Sequence, residues 1–191
     1  MPTGVHIRDV RAQLFDAAER ILLRDGAAAL TSRAVTTEAG CAKGVLHRHF
    51  PDFDGFLAEL VADRIDRVAA LRTPAGTGSV EGNLTEMLTG LFESVALGIV
   101  ALVISRDELR TRLRRGTPTG IPLLTEAAAV LASYLADERA MGRIAADADV
   151  DTLAVALVGA GHLLSAGGDG PPPIDRVVAA VMADVRQRRL L

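Results

Sequence analysis

The sequence is poor in residues on which several kinds of fold and site depend. It has one cysteine and no tryptophan, and aromatic residues make up only 3% of its 191 residues. A single cysteine excludes an internal disulfide framework and fits a reducing compartment. So few aromatic residues predict a core of aliphatic and small side chains, which favours close helix packing over a β-sandwich.

Long apolar runs and a secretory signal are also missing. The two longest apolar runs, residues 95–104 and 153–164, are shorter than the ~18 residues that a membrane-spanning helix needs. The first twenty residues are charged and polar at helical spacing, unlike a signal peptide. We therefore predict a cytoplasmic protein with no membrane partner.

An excess of positive charge is missing as well, because the formal net charge is −3. The distribution is more informative, since residues 1–50 carry seven Lys or Arg against five Asp or Glu, and three of the four histidines. A mildly basic N-terminal region on an acidic remainder fits a small surface that faces phosphates.

Apolar residues, which make up 49% of the chain, recur at the i, i+3, i+4 spacing of helices. This pattern predicts an all-α protein of about nine helices, large enough for one or two domains. The predicted helices cover residues 9–24, 32–39, 42–49, 52–71, 83–103, 105–115, 123–141, 151–165 and 174–189.

Helix starts are predicted from residues that cap an N-terminus. Two pairs have the spacing of a capping box. Residues 73–82 are expected to form a flexible connection, and they lack the preceding strand and the Gly-Lys-Ser/Thr of a phosphate loop. Three alternating carboxylates imitate a calcium loop but lack its later Gly and Glu, so they are interpreted as the start of a helix. These positions are Asp9, Asp52, Asn83 with Glu86, Ser105 with Glu108, and Asp147, Asp149 and Asp151.

Residues 31–50, TSRAVTTEAGCAKGVLHRHF, contain two short helical patterns on either side of Gly40. Such a pair of helices is typical of a helix-turn-helix, whose second helix lies in the major groove of DNA. The alternative is an ordinary helical hairpin within a core. Lys43, the only lysine of the chain, and the neighbouring Arg and His side chains supply donors for phosphates and bases, and Gly44 permits a close approach. The predicted DNA contacts are Thr31, Ser32, Arg33, Ala42, Lys43, Gly44, Val45, His47, Arg48 and His49.

Residues 40–50, GCAKGVLHRHF, resemble the recognition segment of TetR-type transcriptional regulators. The usual pattern there is a helix that begins with Thr, followed by Ala-Gly-Val-Ser-Lys-Gly-x-Leu-Tyr-x-His-Phe, and its first Ala corresponds to Ala39. The resemblance covers about the first quarter of the chain, and the remainder agrees with the family in length and helical pattern. The matching residues are Thr31, Arg33, Val35, Ala39, Gly40, Lys43, Gly44, Leu46, His49 and Phe50, with Ala17, Ala18 and Gly26 upstream.

Three positions depart from the family pattern. Ala42 replaces the usual Ser and removes a side-chain N-cap typically worth ~1 kcal/mol. His47 replaces a Tyr, and Phe53 replaces a Lys that commonly contacts phosphate. These changes predict weaker DNA binding, or binding that is unusually sensitive to pH or salt. The alternative function is therefore a ligand-binding or interaction protein with a weakened helix-turn-helix.

The resemblance implies a DNA-binding domain at residues 1–52 and an effector-binding and dimerisation domain at residues 53–191. It also implies a homodimeric repressor on a palindromic operator, with its last two helices in a four-helix bundle. The small residues and the apolar stripe of these helices independently fit such a seam. The predicted interface residues are Leu153, Leu157, Ala160, Gly161, Leu164, Val177, Val181 and Val185.

The family also implies an apolar effector cavity in the second domain. We expect a mostly apolar effector, with Tyr134 or His162 as hydrogen-bond donor. The alternatives are a solid core, and a His162 that is only a core or interface residue. The predicted lining is Leu91, Phe92, Val95, Ile99, Leu124, Tyr134 and His162.

Chemistry of other kinds is not indicated. Cys41 has no second cysteine, and it is interpreted as a small apolar residue of the turn, with a redox sensor as the alternative. His47 and His49 are two positions apart on a helix, so they diverge instead of sharing a metal. We predict no enzyme activity, no metal and no cofactor.

Overall fold

The computed structural model describes residues 7–92, 95–114, 120–167, 172–183 and 185 of the chain. Within these residues the fold is all-α, as predicted, and contains no β-strand. The described α-helices are α1 (Ile7–Asp25), α2 (Ser32–Glu38), α3 (Val45–His49), α4 (Phe53–Ala69), α5 (Val80–Phe92), α6 (Ala96–Ser105), α7 (Asp107–Leu113), α8 (Leu124–Ala140), α9 (Val150–Ala166) and α10 (Ile174–Val181). A 3-10 helix, Ala27–Ala29, lies between α1 and α2.

Contacts between residues divide the chain into two compact units. The head unit comprises Met1–Asp63 and Gly98–Pro118, and the body unit comprises Arg64–Leu97 and Thr119–Leu191. The division passes through α4 and α6, so the head unit includes a second segment with most of α6 and all of α7. The sequence does not indicate this segment. The domain boundary between residues 52 and 53 stays a prediction.

The core of the head unit is built around aromatic rings. Four of the five phenylalanines lie here, and Phe56 is the central one. Its ring centroid lies 5.0 Å from that of Phe50, 5.6 Å from that of Phe15 and 5.7 Å from that of Phe53. Most other buried side chains of the unit are aliphatic or small, as predicted, but the composition does not indicate that the few aromatic residues are concentrated at its centre.

The core of the body unit is mainly aliphatic, as the composition predicts. Helices α5, α8, α9 and α10 pack on one another, and Leu84, Leu88, Leu135 and Leu157 are completely buried. At Gly161 of α9 the close approach requires glycine, since a Cβ there would lie 2.5 Å from Cε2 of Phe92. Gly161 thus already serves packing within the subunit.

Several helices begin or end where the sequence does not predict. Helix α1 begins at Ile7, so Asp9 lies inside it. Helix α5 begins at Val80 because the hydroxyl of Ser79 accepts the N–H of Gly82 at 3.0 Å, which places Asn83 inside the helix. The predicted helix 83–103 is two helices, α5 and α6. The predicted cap at Ser105 is wrong, because the hydroxyl of Ser105 donates to the carbonyl of Leu102. Helix α7 begins two residues later, at Asp107.

Two predicted carboxylate caps are confirmed. Asp52 accepts the N–H of Gly55 at 2.6 Å at the start of α4, and Asp149 accepts the N–H of Thr152 at 3.2 Å at the start of α9. The last predicted helix, 174–189, is described as α10 up to Val181, and most of the remaining predicted residues lie outside the described ranges.

The loop before α5 is held by buried polar side chains of the body unit. Asn83 donates to the carbonyl of Thr77 at 2.8 Å and to the hydroxyl of Tyr134 at 2.9 Å. Glu138, which is fully buried, accepts the N–H of Gly76 at 3.2 Å and pairs with Nε of Arg143 at 3.0 Å. The loop predicted as a flexible connection is therefore fastened to α5 and α8.

No described helix is by itself both long and apolar enough to cross a membrane. Helices α5 and α6 reach the necessary length and hydropathy only when taken together, as a pair that is broken between Phe92 and Ala96.

Candidate nucleic-acid interface

Helix α2 begins where the sequence predicts. Thr31 has an extended backbone, and its Oγ1 accepts the N–H of Ala34 at 3.1 Å, so it is the N-cap. Within the helix, the hydroxyl of Thr36 donates to the carbonyl of Ser32 at 3.0 Å and is buried. The cap leaves Arg33 exposed in the first turn, on the surface that the sequence assigns to DNA.

The turn after α2 is a Schellman motif. Gly40 has a φ of 65°, in the left-handed region that favours glycine. The N–H of Cys41 donates to the carbonyl of Thr36 at 2.9 Å, and that of Gly40 donates to the carbonyl of Thr37 at 3.1 Å. These are the two hydrogen bonds that define the motif. The turn therefore satisfies carbonyls that α2 leaves without partners.

Helix α3 is shorter than predicted, because residues 42–44 form a turn and only Val45–His49 is helical. Gly44 is its N-cap and makes no side-chain hydrogen bond. Leu46 and Phe50 are buried and fix one side of the segment to the head core. Since the helix has five residues, its position depends on tertiary contacts more than on its own hydrogen bonds.

The predicted DNA contacts form an accessible set. Lys43 and Arg48 are exposed on either side of the start of α3. The exposed members are Thr31, Arg33, Ala42, Lys43, Gly44, His47 and Arg48, and the half-buried ones are Ser32, Val45 and His49.

Gly44 has no evident structural requirement for glycine. Its φ of −81° suits any residue, and a Cβ at this position would meet nothing within 4 Å. Neither backbone strain nor packing therefore requires glycine at this position.

The cations of the head unit fall into two groups. Within the described residues, Arg33, Lys43, Arg48 and Arg114 have no ion-pair partner, and all four are exposed. Other arginines are engaged inside the unit, such as Arg20, which pairs with Glu38 at 2.9 Å. Three of the unpaired cations, Arg33, Lys43 and Arg48, are among the predicted DNA contacts.

Two arginines of the second segment fasten it to the rest of the head unit. Arg106 lies 5.5 Å above the ring of Phe53, donates to the carbonyl of Leu30 at 3.3 Å and pairs with Asp54 at 3.4 Å. Arg112 pairs with Asp52 at 2.8 Å. Sequence reasoning missed these contacts, because nothing in the spacing of residues connects positions fifty or more apart. Phe53, the position where family members commonly have Lys, lies half-buried in the aromatic cluster.

The predicted effector residues do not share the apolar crevice of the body unit. This crevice has a volume of only about 10 Å³, far below the ~300–1,000 Å³ of usual ligand pockets. Of the predicted effector residues, Leu91 lines this crevice, whereas Ile99 lies in the head unit. The crevice is lined by Val68, Leu71, Met87, Leu91, Ala127, Val130 and Leu131.

The two predicted hydrogen-bond donors differ in availability. The hydroxyl of Tyr134 is already engaged by Asn83 and Glu138. His162 is half-buried with its ring centroid 6.3 Å from that of Phe92, and its buried Nδ1 has no hydrogen-bond partner among the described residues. Phe92 and Val95 are buried, and Leu124 is half-buried.

The predicted dimer residues divide by exposure. Leu157 and Gly161 are buried within the subunit. The exposed apolar face of α9 lies elsewhere, with Val155 63% exposed and Leu163 73% exposed. Leu164 is exposed, and the remaining members, Leu153, Ala160, Val177, Val181 and Val185, are half-buried. Within the described residues, no cluster of three or more His, Cys, Asp or Glu side chains is suited to a metal.

Comparison with known proteins agrees with this geometry. Residues 14–60 match the family described as bacterial regulatory proteins, tetR family. No curated protein matches the chain. A structure described as a TetR-family transcriptional regulator from Mesorhizobium loti has a TM-score of 0.70 at 18% identity, covering 96% of this chain and 100% of that one.

Two further structures have the same fold. One, described as a TetR-family transcriptional regulator from Rhodococcus sp., has a TM-score of 0.72 at 21% identity, covering 93% of this chain and 98% of the other. A gamma-butyrolactone receptor has a TM-score of 0.57 at 20% identity, covering 94% of this chain and 100% of the other. Residues 14–60 therefore match the tetR family of bacterial regulatory proteins, and the chain shares its fold with these structures along almost its whole length.

Proposed function

We propose that this protein is a transcriptional regulator that binds double-stranded DNA through α3 and the turn before it, and that it is not an enzyme. The observation that carries the proposal is the group of exposed, unpaired cations around Gly44, a glycine that neither packing nor backbone conformation explains. Lys43 and Arg48 fit phosphate or base contacts there, and Gly44 lets the backbone approach the groove.

A mobility-shift titration tests this proposal, with a duplex from the region around the protein's own gene. Lys43→Ala is expected to weaken binding and to lower the salt slope of log K by about 0.9, because one phosphate contact is lost. The melting temperature should stay unchanged, since Lys43 is exposed and unpaired among the described residues. Arg72→Ala, which removes an exposed cation from the body unit, serves as the matched control.

If Lys43→Ala bound the duplex like the wild type, α3 would not be the recognition helix. If the wild type bound neither this duplex nor any other DNA, the weakened helix-turn-helix would be the better description. The protein would then be a ligand-binding or interaction protein.

We further propose that two subunits associate through the outer face of α9, together with the half-buried stripe of α10. Val155 and Leu163 are large apolar residues on that face, and Gly159 between them is exposed and would let a partner helix approach. Leu163→Glu would leave an unpaired charge in such a seam. Sedimentation should then show monomers in place of dimers, while Leu23→Glu, at a similarly exposed leucine of the head unit, should leave the dimer intact.

The remaining proposal is repression that a small, mostly apolar effector relieves. Its support is the apolar crevice of the body unit and the similarity in fold to a gamma-butyrolactone receptor. The crevice must widen to hold a ligand of ordinary size, so the effector would favour an enlarged state of the body unit. Ala127→Val, which adds two methyl groups to the wall of the crevice, should abolish effector-dependent release of DNA without weakening operator binding in the absence of effector.

A further inference from the structure

Helix α1 contacts the carboxyl ends of both helices of the helix-turn-helix. Nη1 of Arg11 donates to the carbonyl of His49, the last residue of α3, at 3.3 Å. Nε2 of Gln13 donates to the carbonyl of Ala39, the C-cap of α2, at 2.8 Å. The last carbonyls of a helix lack partners within the helix, so each contact supplies a donor that the helix itself cannot.

The position of α3 depends strongly on Arg11. Besides the carbonyl of His49, the guanidinium contacts two other groups, because it pairs with the carboxylate of Glu59 on α4 and lies 4.4 Å from the ring centroid of Phe50. One planar group therefore connects three elements around the end of α3. Only Arg has the fork of donors and the flat face for all three contacts, which a lysine ammonium cannot reproduce together.

A direct contact of Arg11 with DNA phosphate is the competing explanation. Its side chain is 35% exposed, but its donors are directed to Glu59 and to the carbonyl of His49. Lys43, in contrast, is exposed with no ion-pair partner among the described residues. The donors of Arg11 are thus used within the protein, whereas Lys43 is free to contact DNA.

We infer that Arg11 is a positioning residue for the recognition helix, and that Gln13 has the same role for α2. This inference rests on the proposed DNA-binding function. The two side chains set the angle at which α3 enters the groove, so they affect binding to the correct sequence more than binding to DNA in general.

The experiment compares Arg11→Lys, Gln13→Met and the wild type on two duplexes, the operator region and a random sequence, over a range of salt concentrations. Arg11→Lys keeps the charge and loses the fork, and Gln13→Met keeps the length of an exposed side chain and loses its hydrogen bond. Operator affinity should fall roughly tenfold for Arg11→Lys and several-fold for Gln13→Met, which is the order expected for one charge-assisted and one neutral hydrogen bond. Affinity for random DNA and the salt slope should stay unchanged in both.

Two controls separate positioning from other effects. Arg11→Gln removes the charge, so a phosphate contact would lower its salt slope by about 0.9, whereas positioning leaves the slope like that of Arg72→Gln in the body unit. A simple loss of folded protein would lower binding to both duplexes by the same factor. Circular dichroism and thermal unfolding measure the folded fraction of each variant.

The inference is overturned if Arg11→Lys binds the operator like the wild type, or if Arg11→Gln lowers the salt slope. If Arg11→Lys does not fold, Gln13→Met decides, and unchanged operator affinity in that variant overturns the inference. A wild type that binds neither duplex refutes the proposed function instead, before any variant is compared.

Discussion

The head and body units are stabilised in opposite ways, although both are helical. The head unit combines a cluster of four phenylalanine rings with arginines that bridge one element to another. The body unit has a mainly aliphatic core and one buried polar network at Glu138. The short helices α2, α3 and α7 of the head unit bury little surface each, so contacts with large rings and multidentate side chains help to fix their positions.

Charged side chains also have different roles in the two units. In the head unit, paired arginines such as Arg11 and Arg106 serve the structure, while Lys43 and Arg48 remain exposed. In the body unit, the buried charge of Glu138 is directed at a loop and at Arg143. The proposed DNA contacts are therefore among the cations without an ion-pair partner in the described residues, and a count of charge along the sequence cannot identify them.

The largest expected effect is loss of the central ring of the head unit. Phe56→Ala should lower the free energy of unfolding by about 3–5 kcal/mol, because it opens a cavity and removes three ring contacts. Leu88→Ala in the body unit, equally buried, is the matched comparison and should cost less, about 2–4 kcal/mol. Chemical denaturation measures both, and an equal or larger loss for Leu88→Ala would contradict the special role of the aromatic cluster.

The second effect concerns the buried charge of the body unit. Glu138→Ala leaves Arg143 and the N–H of Gly76 without their partner, and it should cost about 2–3 kcal/mol. The loss stays below that of a fully buried pair because the side chain of Arg143 is 27% exposed. The double variant Glu138→Met, Arg143→Met should recover part of the stability in a double-mutant cycle. Additive losses would mean that the pair does not act as a unit.

In the head unit, the sequence predicts the helix-turn-helix better than the segment that packs on it. Thr31 as N-cap and Gly40 as the left-handed residue follow from local backbone chemistry, which neighbouring residues determine. The contacts of Arg106 with Leu30 and Asp54 join positions far apart in the chain, and no spacing rule indicates them. Local signals therefore identify the helix-turn-helix, and they leave out the segment that packs on it.

In the body unit, periodicity identifies the helices but not the role of their faces. Leu157 and Gly161 fit the pattern of an interface, yet they are buried within the subunit, and Val155 and Leu163 are the exposed residues of α9. An all-apolar helix has no polar face to orient it, so the sequence cannot distinguish an inner face from an outer one. Asn83 similarly has the spacing of a capping residue, although it is a buried partner of Tyr134.

A third, smaller effect is the ionisation of Tyr134. Burial, followed by its hydrogen bond to Glu138, raises the pKa of Tyr134 to about 12, above the ordinary ~10. Since the folded pKa is the higher one, this contribution to stability is present below pH ~10 and disappears as the pH rises towards ~12. Tyr134 is the only tyrosine and tryptophan is absent, so phenolate absorbance reports it directly. Glu138→Gln should lower this pKa, and an unchanged titration would remove Glu138 as a cause.

The smallest effect compares two helix-capping aspartates, Asp52 of the head unit and Asp149 of the body unit. The pKa of Asp52 is lowered first by its hydrogen bond with Arg112 and then by the N–H of Gly55. The pKa of Asp149 is lowered by the hydroxyl and the N–H of Thr152, within its own helix. In both, the stabilisation is present above the carboxyl's unfolded pKa and is lost as the pH falls through the lower folded pKa.

Arg112→Gln should therefore raise the pKa of Asp52 and leave that of Asp149 unchanged, while Thr152→Val should do the reverse. The pKa of Asp52 should stay somewhat below its ordinary value in Arg112→Gln, because Gly55 still donates to it. Carboxyl carbon shifts in an NMR titration measure both groups in one sample. An Asp52 titration that did not respond to Arg112→Gln would mean that the ion pair between Arg112 and Asp52 does not form in solution. The second segment would then be joined to α4 through Arg106 instead, by its pair with Asp54.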